Sequence, residues 1–160
     1  MTPTMQMTVN GRSASITADE TTPLLDVLRN RLGLKGARYG CGLEQCGSCA
    51  VLVDGKVVAS CTRPLGSVAG TSVTTVEGLG SPERPHPLQA ALLDEQAGQC
   101  GYCLSGILIS AKALLDRNPA PSRAEIAAAL DWHLCRCGMH NRIFRAVAQA
   151  AEQMHGKAAP

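Results

Sequence analysis

Apolar residues recur with a period of two early in the chain and with a helical period late in it, so strands are predicted first and helices afterwards. Met5, Met7 and Val9 alternate up to Asn10-Gly11, a two-residue hairpin signal, and a second short strand is expected over Ser13 to Thr17. Thr22-Pro23 reads as an N-cap followed by a favoured first helical residue, and Leu24, Leu25, Leu28 and Leu32 form a helical stripe that Gly33 ends. Ala50 to Val53 and Lys56 to Ser60, joined through Asp54-Gly55, predict a second hairpin, and Ser72 to Val76 a last strand.

Gly78 to Pro87 carries three prolines and two glycines and is read as a linker without regular structure. Four helices are expected after it. Leu88, Ala91, Leu92 and Glu95 mark the first; Leu104, Ile107, Leu108, Ala111, Leu114 and Leu115 mark the second, which Asn118-Pro119 stops. Ser122-Arg123-Ala124-Glu125 is a capping box that opens the third through Ile126, Ala129 and Leu130, and Ile143, Phe144, Val147, Ala150, Ala151 and Met154 mark the fourth. The expected organisation is α+β: a sheet domain over 1–77, the linker 78–87, a four-helix bundle over 88–155 and a frayed tail over 156–160.

Two units this small have modest cores and need staples. The chain has 8 cysteines, four before residue 62 and four from Cys100 onward, which suggests one inorganic staple per unit. Disulfides, structural zinc and iron–sulfur clusters compete for them. Met1 to Arg31 lacks the basic start, apolar run and small-residue site of a secretory signal, so a reducing compartment is expected and disulfides lose weight. No apolar run approaches the roughly 20 residues of a membrane span. The formal net charge of +2, with acids and bases interspersed, does not point to nucleic acid. If two clusters each remove four thiol protons and add a core of about +2, that charge moves to about −2.

Cys41, Cys46, Cys49 and Cys61 give C-x4-C-x2-C and a later fourth thiol, the plant-type spacing for a [2Fe-2S] cluster. Such a cluster is anionic, and Gly40, Gly42 and Gly47 beside the ligands let backbone amides approach it. Arg38 and Arg63 are candidates to offset its charge. Hairpin, helix, cysteine loop, hairpin and closing strand follow the element order of a β-grasp ferredoxin. Zinc remains the competitor, because Cys46-x2-Cys49 alone suits a zinc knuckle.

The second set is Cys100-x2-Cys103 and Cys135-x-Cys137, two thiols at each of two helix junctions, where helix dipoles favour an anionic cluster. Here His133 and His140 keep a mixed Cys/His zinc centre in play, although four cysteines already complete a tetrahedral set. A Rieske centre, with two cysteine and two histidine ligands, does not match four cysteines.

Together these segments resemble the iron–sulfur subunit of the molybdenum hydroxylases, the xanthine oxidase and aldehyde oxidoreductase family. The motifs are Y-G-C-G-x-x-x-C-G-x-C at Tyr39 to Cys49, Q-C-G-Y-C at Gln99 to Cys103 and L-C-R-C-G at Leu134 to Gly138. Many members have Thr-Pro-Gly where this chain has Leu104-Ser105-Gly106, and Thr-Gly-Tyr where it has Gly138-Met139-His140. The latter form looks closer to the branch acting on nicotinate, isoquinoline and related N-heterocycles.

The resemblance implies an electron-transfer subunit of an oxidoreductase, with no substrate chemistry on this chain. It implies [2Fe-2S] clusters on Cys41, Cys46, Cys49 and Cys61 and on Cys100, Cys103, Cys135 and Cys137. Cys137 is then the ligand nearest a molybdopterin, as its cytosine dinucleotide, on a large partner subunit, and Gln99 contacts that cofactor. A subunit with FAD, or a cytochrome with haem c, is the expected acceptor, and a nicotinate-like N-heteroaromatic compound or an aldehyde the expected substrate. The expected location is cytoplasmic, or at the membrane or periplasm through a partner. A free-standing two-cluster ferredoxin and a structural zinc scaffold are the competing functions. The acids Asp94, Glu95 and Glu125 are read as helix-surface residues rather than catalysts.

Overall fold

A computed structural model of the chain describes residues 2–156; the expected tail beyond Gly156 lies outside them. Strands β1 (Thr4–Val9) and β2 (Arg12–Thr17) pair in the expected hairpin. Asn10 and Gly11 both have positive φ (50° and 77°), as a tight two-residue turn that matches strand twist requires. Strands β3 (Ala50–Val53) and β4 (Lys56–Ala59) repeat the device through Asp54 and Gly55 (47° and 77°). Strand β5 (Ser72–Thr74) lies between the hairpins, parallel to β1 and antiparallel to β3, in the order β2-β1-β5-β3-β4.

The first helix departs from its expected form. Pro23, not Thr22, holds the N-cap position, with ψ at 135°, and α1 is a single α turn over Leu24–Asp26 that continues as a π turn over Val27–Arg31. Two of its leading amides find partners outside the helix: Leu24 N donates to the Arg63 carbonyl and Leu25 N to the Ser60 carbonyl. The segment thus binds to the edge of the second hairpin instead of being capped by its own threonine. Its apolar face, Leu24, Leu25, Val27 and Leu28, is buried with Met5, Met7, Val9, Ile16, Val51 and Val73 of the sheet. Two 3-10 turns, Leu65–Val68 and Val76–Gly78, are not signalled by the sequence pattern; the second cuts the last strand short of Val76.

The four later helices are α2 (Pro87–Asp94), α3 (Leu104–Arg117), α4 (Arg123–Leu130) and α5 (His140–His155). The Ser122–Glu125 capping box forms as expected, and α2 has a second, unexpected one between His86 and Gln89. Pro87, placed in the linker by composition, is the first residue of α2, where its missing N–H costs nothing. Leu79, also in that segment, packs against both the bundle and the sheet, so the connection is fastened down.

Sheet and bundle share a core. Strand β3 buries Val51 toward α1, while Ala50 and Leu52 pack on Ile109 and Ala113 of α3. Both faces of this strand are therefore covered, which is why Ala50-Val51-Leu52-Val53 is a continuous apolar run rather than an alternation. Gly106 of α3 lies hard against Gly47: a Cβ on Gly106 would lie 2.1 Å from the Gly47 carbonyl oxygen.

Gly106→Ala therefore sets a gain of about 1 kcal/mol in helix propensity against overpacking on backbone that cannot swing aside, which costs about 1–3 kcal/mol or more. The predicted result is net destabilisation, read as a thermal midpoint lower by about 2–6 °C. An unchanged or raised midpoint would mean that sheet and bundle are not seated on each other as described.

Candidate metal centres

The eight cysteines are free thiols and come together as four pairs. Cys41 touches Cys46, and Cys49 touches Cys61. In the helical half Cys100 lies 3.6 Å, sulfur to sulfur, from Cys137, and Cys103 touches Cys135. One pair of each set is deep and the other shallow: Cys49, Cys61 and Cys103 are buried, Cys41, Cys46, Cys135 and Cys137 are half-buried, and Cys100 is exposed. Among the described residues, no three His, Cys, Asp or Glu donors converge on one ion. Two pairs per set fit a diiron core, in which each iron takes two thiolates, better than a tetrahedral zinc ion, on which four donors meet.

Backbone amides converge on the shallow pair of the first loop. Leu43 N and Gln45 N donate to Cys41 Sγ at 3.3 and 3.2 Å, and Cys41 N donates to Cys46 Sγ at 3.4 Å. The amides of Leu43 and Gln45 bring the Cys41 thiol down to about 7. Gly42 has φ of 70° and Gly47 of 74°, the left-handed turns that bend the loop around the sulfurs. In the deep pairs burial dominates, pushing Cys49 up to about 11 and Cys103 up to about 12. A thiolate is disfavoured there until a cation offsets its charge, so the deep pairs suit ligands whose protons leave when metal arrives.

In the second set, Cys100 and Cys103 precede α3, with Cys103 at its N-cap position, and Cys135 and Cys137 precede α5. The Tyr102 amide, just ahead of the N-cap of α3, lowers the Cys100 thiol. The helix-junction placement expected from the sequence holds: each pair of thiols lies just ahead of a helix N-terminus, the end whose dipole favours negative charge.

The histidines have other work. His133 is buried, its Nε2 lies 2.6 Å from Ser110 Oγ, and its Nδ1 is pressed against the Gly47 backbone without a hydrogen bond of good geometry. Burial drives it down to about 4, so the ring is neutral. His140 Nε2 lies 3.3 Å from the His133 carbonyl. Both rings are thus tied to packing and backbone.

The two loops touch directly. Leu134 N donates to the Cys46 carbonyl at 3.2 Å, Trp132 Nε1 donates to the Glu44 carbonyl, and the Tyr102 hydroxyl donates to the Tyr39 carbonyl at 2.5 Å. Arg38, expected to offset the first loop's charge, reaches the second instead: Nη1 donates to the Gly101 carbonyl at 2.7 Å. Arg63 faces a groove with Val53, Lys56 and Ser67, and its buried Nε has no partner. Gln99, exposed beside Cys100, places its amide 3.5 Å from the Met139 sulfur. Glu95 pairs with Arg145 at 2.8 Å and Glu125 serves the cap of α4.

Residues 7–71 match the family model described as "2Fe-2S iron-sulfur cluster binding domain", and residues 75–148 the model described as "[2Fe-2S] binding domain". The chain is 53% identical over 152 residues to one of the subunits of nicotinate dehydrogenase from Pseudomonas putida, covering 95% of this chain and 97% of that one. It is 47% identical over 150 residues to the alpha subunit of isoquinoline 1-oxidoreductase from Brevundimonas diminuta, covering 93% and 98%. The structure of aldehyde oxidoreductase from Desulfovibrio gigas superposes with a TM-score of 0.94 at 42% identity; 98% of this chain matches 18% of that much longer one.

If His133 packs and does not ligate, His133→Gln keeps the visible and EPR spectra of both clusters while the fold loses about 1–3 kcal/mol from the severed Ser110 contact. Altered g-values or a missing cluster in a variant of native stability would instead make the histidine a ligand.

Proposed function

The chain belongs to the iron–sulfur subunits of the molybdenum hydroxylases, and on that footing we propose how its own residues divide the work of moving electrons. It is an electron-transfer subunit of an oxidoreductase complex, with the substrate chemistry on a large molybdenum-binding partner. When bound, each [2Fe-2S] cluster takes up and gives back one electron at a time. Cys41, Cys46, Cys49 and Cys61 hold one, and Cys100, Cys103, Cys135 and Cys137 the other. The observation that carries this reading is the two-plus-two pairing of sulfurs in each set.

Electrons from the partner enter at the loop of Cys100 and Cys137, where a sulfur is exposed and Gln99 stands ready to meet the partner's pterin. They leave at the shallow pair Cys41 and Cys46. The Leu134 N–H to Cys46 carbonyl bond links the Cys135 backbone to the Cys46 backbone and offers a short route between the two sites. Tyr39, Leu43, Tyr102 and Leu134, among the few exposed large apolar side chains, all sit on these cysteine loops, as suits surfaces that partner subunits cover. This arrangement favours a bound subunit over a freely diffusing ferredoxin.

The likeness to nicotinate and isoquinoline enzymes supports an N-heteroaromatic substrate for the complex, with an aldehyde as the second choice. A molybdopterin cytosine dinucleotide on the large partner, and FAD or haem c on the acceptor, complete the proposal. The working division of the chain is 1–77, the segment 78–87, and 88–155. Among the described residues, no helix is long and apolar enough to cross a membrane. The proposed location is the cytoplasm, with the membrane or periplasm reached only through a partner.

Two variants separate entrance from exit. Cys137→Ser blocks reduction of the chain by substrate, while the Cys41 site stays reducible by dithionite. Cys46→Ser lets substrate reduce the helical site but stops delivery to the external acceptor. Native rates of substrate reduction in the first variant, or native turnover with the acceptor in the second, would reverse or abolish the order.

A further inference from the structure

Each loop handles its negative charge differently. The first uses neutral dipoles, with three backbone N–H groups on Cys41 and Cys46. The second receives a full charge from outside its own unit. Arg38 lies three residues before Cys41, and its backbone N–H donates to the Ser48 carbonyl at 3.0 Å, which anchors its Cα in the first loop. Its guanidinium crosses to the second loop, donates to the Gly101 carbonyl at 2.7 Å, and stands 5.2 Å from the centre of the Tyr102 ring. Gly101 follows Cys100 directly, and its φ of 75° turns its carbonyl into position for this bond. Tyr102 in turn donates to the Tyr39 carbonyl, so the arginine is clamped between residues of both loops. Among the described residues no acidic side chain pairs with Arg38, the salt bridges there being Lys112–Asp116 and Arg145–Glu95.

We propose that Arg38 is a positioning residue that sets the reduction potential of the helical cluster from within the ferredoxin-like unit, raising that cluster's electron affinity while leaving the neighbouring one to its amides. The inference rests on the assignment of Cys100, Cys103, Cys135 and Cys137 as ligands. A cluster gains negative charge on reduction, and a fixed cation nearby stabilises the reduced form more than the oxidised one. The acceptance of electrons at the entrance is then tied to correct seating of the two units, because the cation and the cluster belong to different ones. Arg38 is half-buried, so part of its effect is screened.

The test is an EPR-monitored redox titration of the purified complex carrying native Arg38, Arg38→Gln or Arg38→Lys. The helical signal is identified as the one that Cys137→Ser alters. Arg38→Gln is expected to make the helical cluster about tenfold harder to reduce, equal to 59 mV for a one-electron couple, with the other cluster within about threefold of native. Arg38→Lys keeps the charge but not the fork, and is expected to stay within about threefold of native at both clusters. The proposal fails if the helical potential is unmoved in Arg38→Gln, if both clusters shift equally, or if Arg38→Lys shifts as far as Arg38→Gln. The last two outcomes describe a clasp whose loss loosens the fold. Absence of two distinct [2Fe-2S] signals in the native complex would instead overturn the ligand assignment on which the inference stands.

Discussion

The structure depends on a close backbone contact between the two cysteine loops. Gly47 of the first loop lies against Gly106 at the start of α3 and against the ring of His133, while the Leu134 amide binds the Cys46 carbonyl. Side chains at either glycine would push the loops apart, and electron tunnelling between centres falls steeply with distance. Much else follows from keeping this contact: β3 is buried on both faces so that α3 can lie across it, the connection after β5 is fastened through Leu79, and His133 is neutral and desolvated because it fills the seam.

The second organising feature is the contrast between shallow and deep sulfurs. Burial makes Cys49 and Cys103 poor thiolates until a cation offsets their charge, which couples metal uptake to completion of the core around them. Among the shallow sulfurs, Cys41 is stabilised by its own loop's amides, and Cys100 by the Tyr102 amide and, from the other unit, by Arg38. Each half therefore has a deeper pair of thiols and a shallower pair nearer its surface.

Much of this is legible in the sequence. Asn10-Gly11 and Asp54-Gly55 announce both hairpins, Ser122 and Glu125 announce a cap, and the cysteine spacings separate two metal-binding halves. The pairing within the helical half is not legible, because it crosses: the first thiol of one motif meets the last of the other, Cys100 with Cys137, and Cys103 with Cys135. Spacing along a chain carries no record of which helix end faces which. The π turn at Val27–Arg31 escapes for a related reason, since amides at the start of that helix are satisfied by Arg63 and Ser60, residues distant in sequence. The seating of sheet on bundle does leave a signal in the unbroken apolar run Ala50-Val51-Leu52-Val53, which a one-sided strand does not need. Arg38 is recognisable as a counter-charge, but proximity in sequence points it at the wrong loop, because a long side chain reaches across a seam that the sequence does not display.

The proposed function requires the sulfur pairs to hold two diiron centres in one chain. Iron, acid-labile sulfide and zinc analysis of the anaerobically purified protein, combined with spin counting after full reduction, tests it most directly. Two such centres predict about four irons, four sulfides and two unpaired spins per chain, with zinc absent. Zinc in either half, or a single spin per chain from a fully loaded sample, would contradict it.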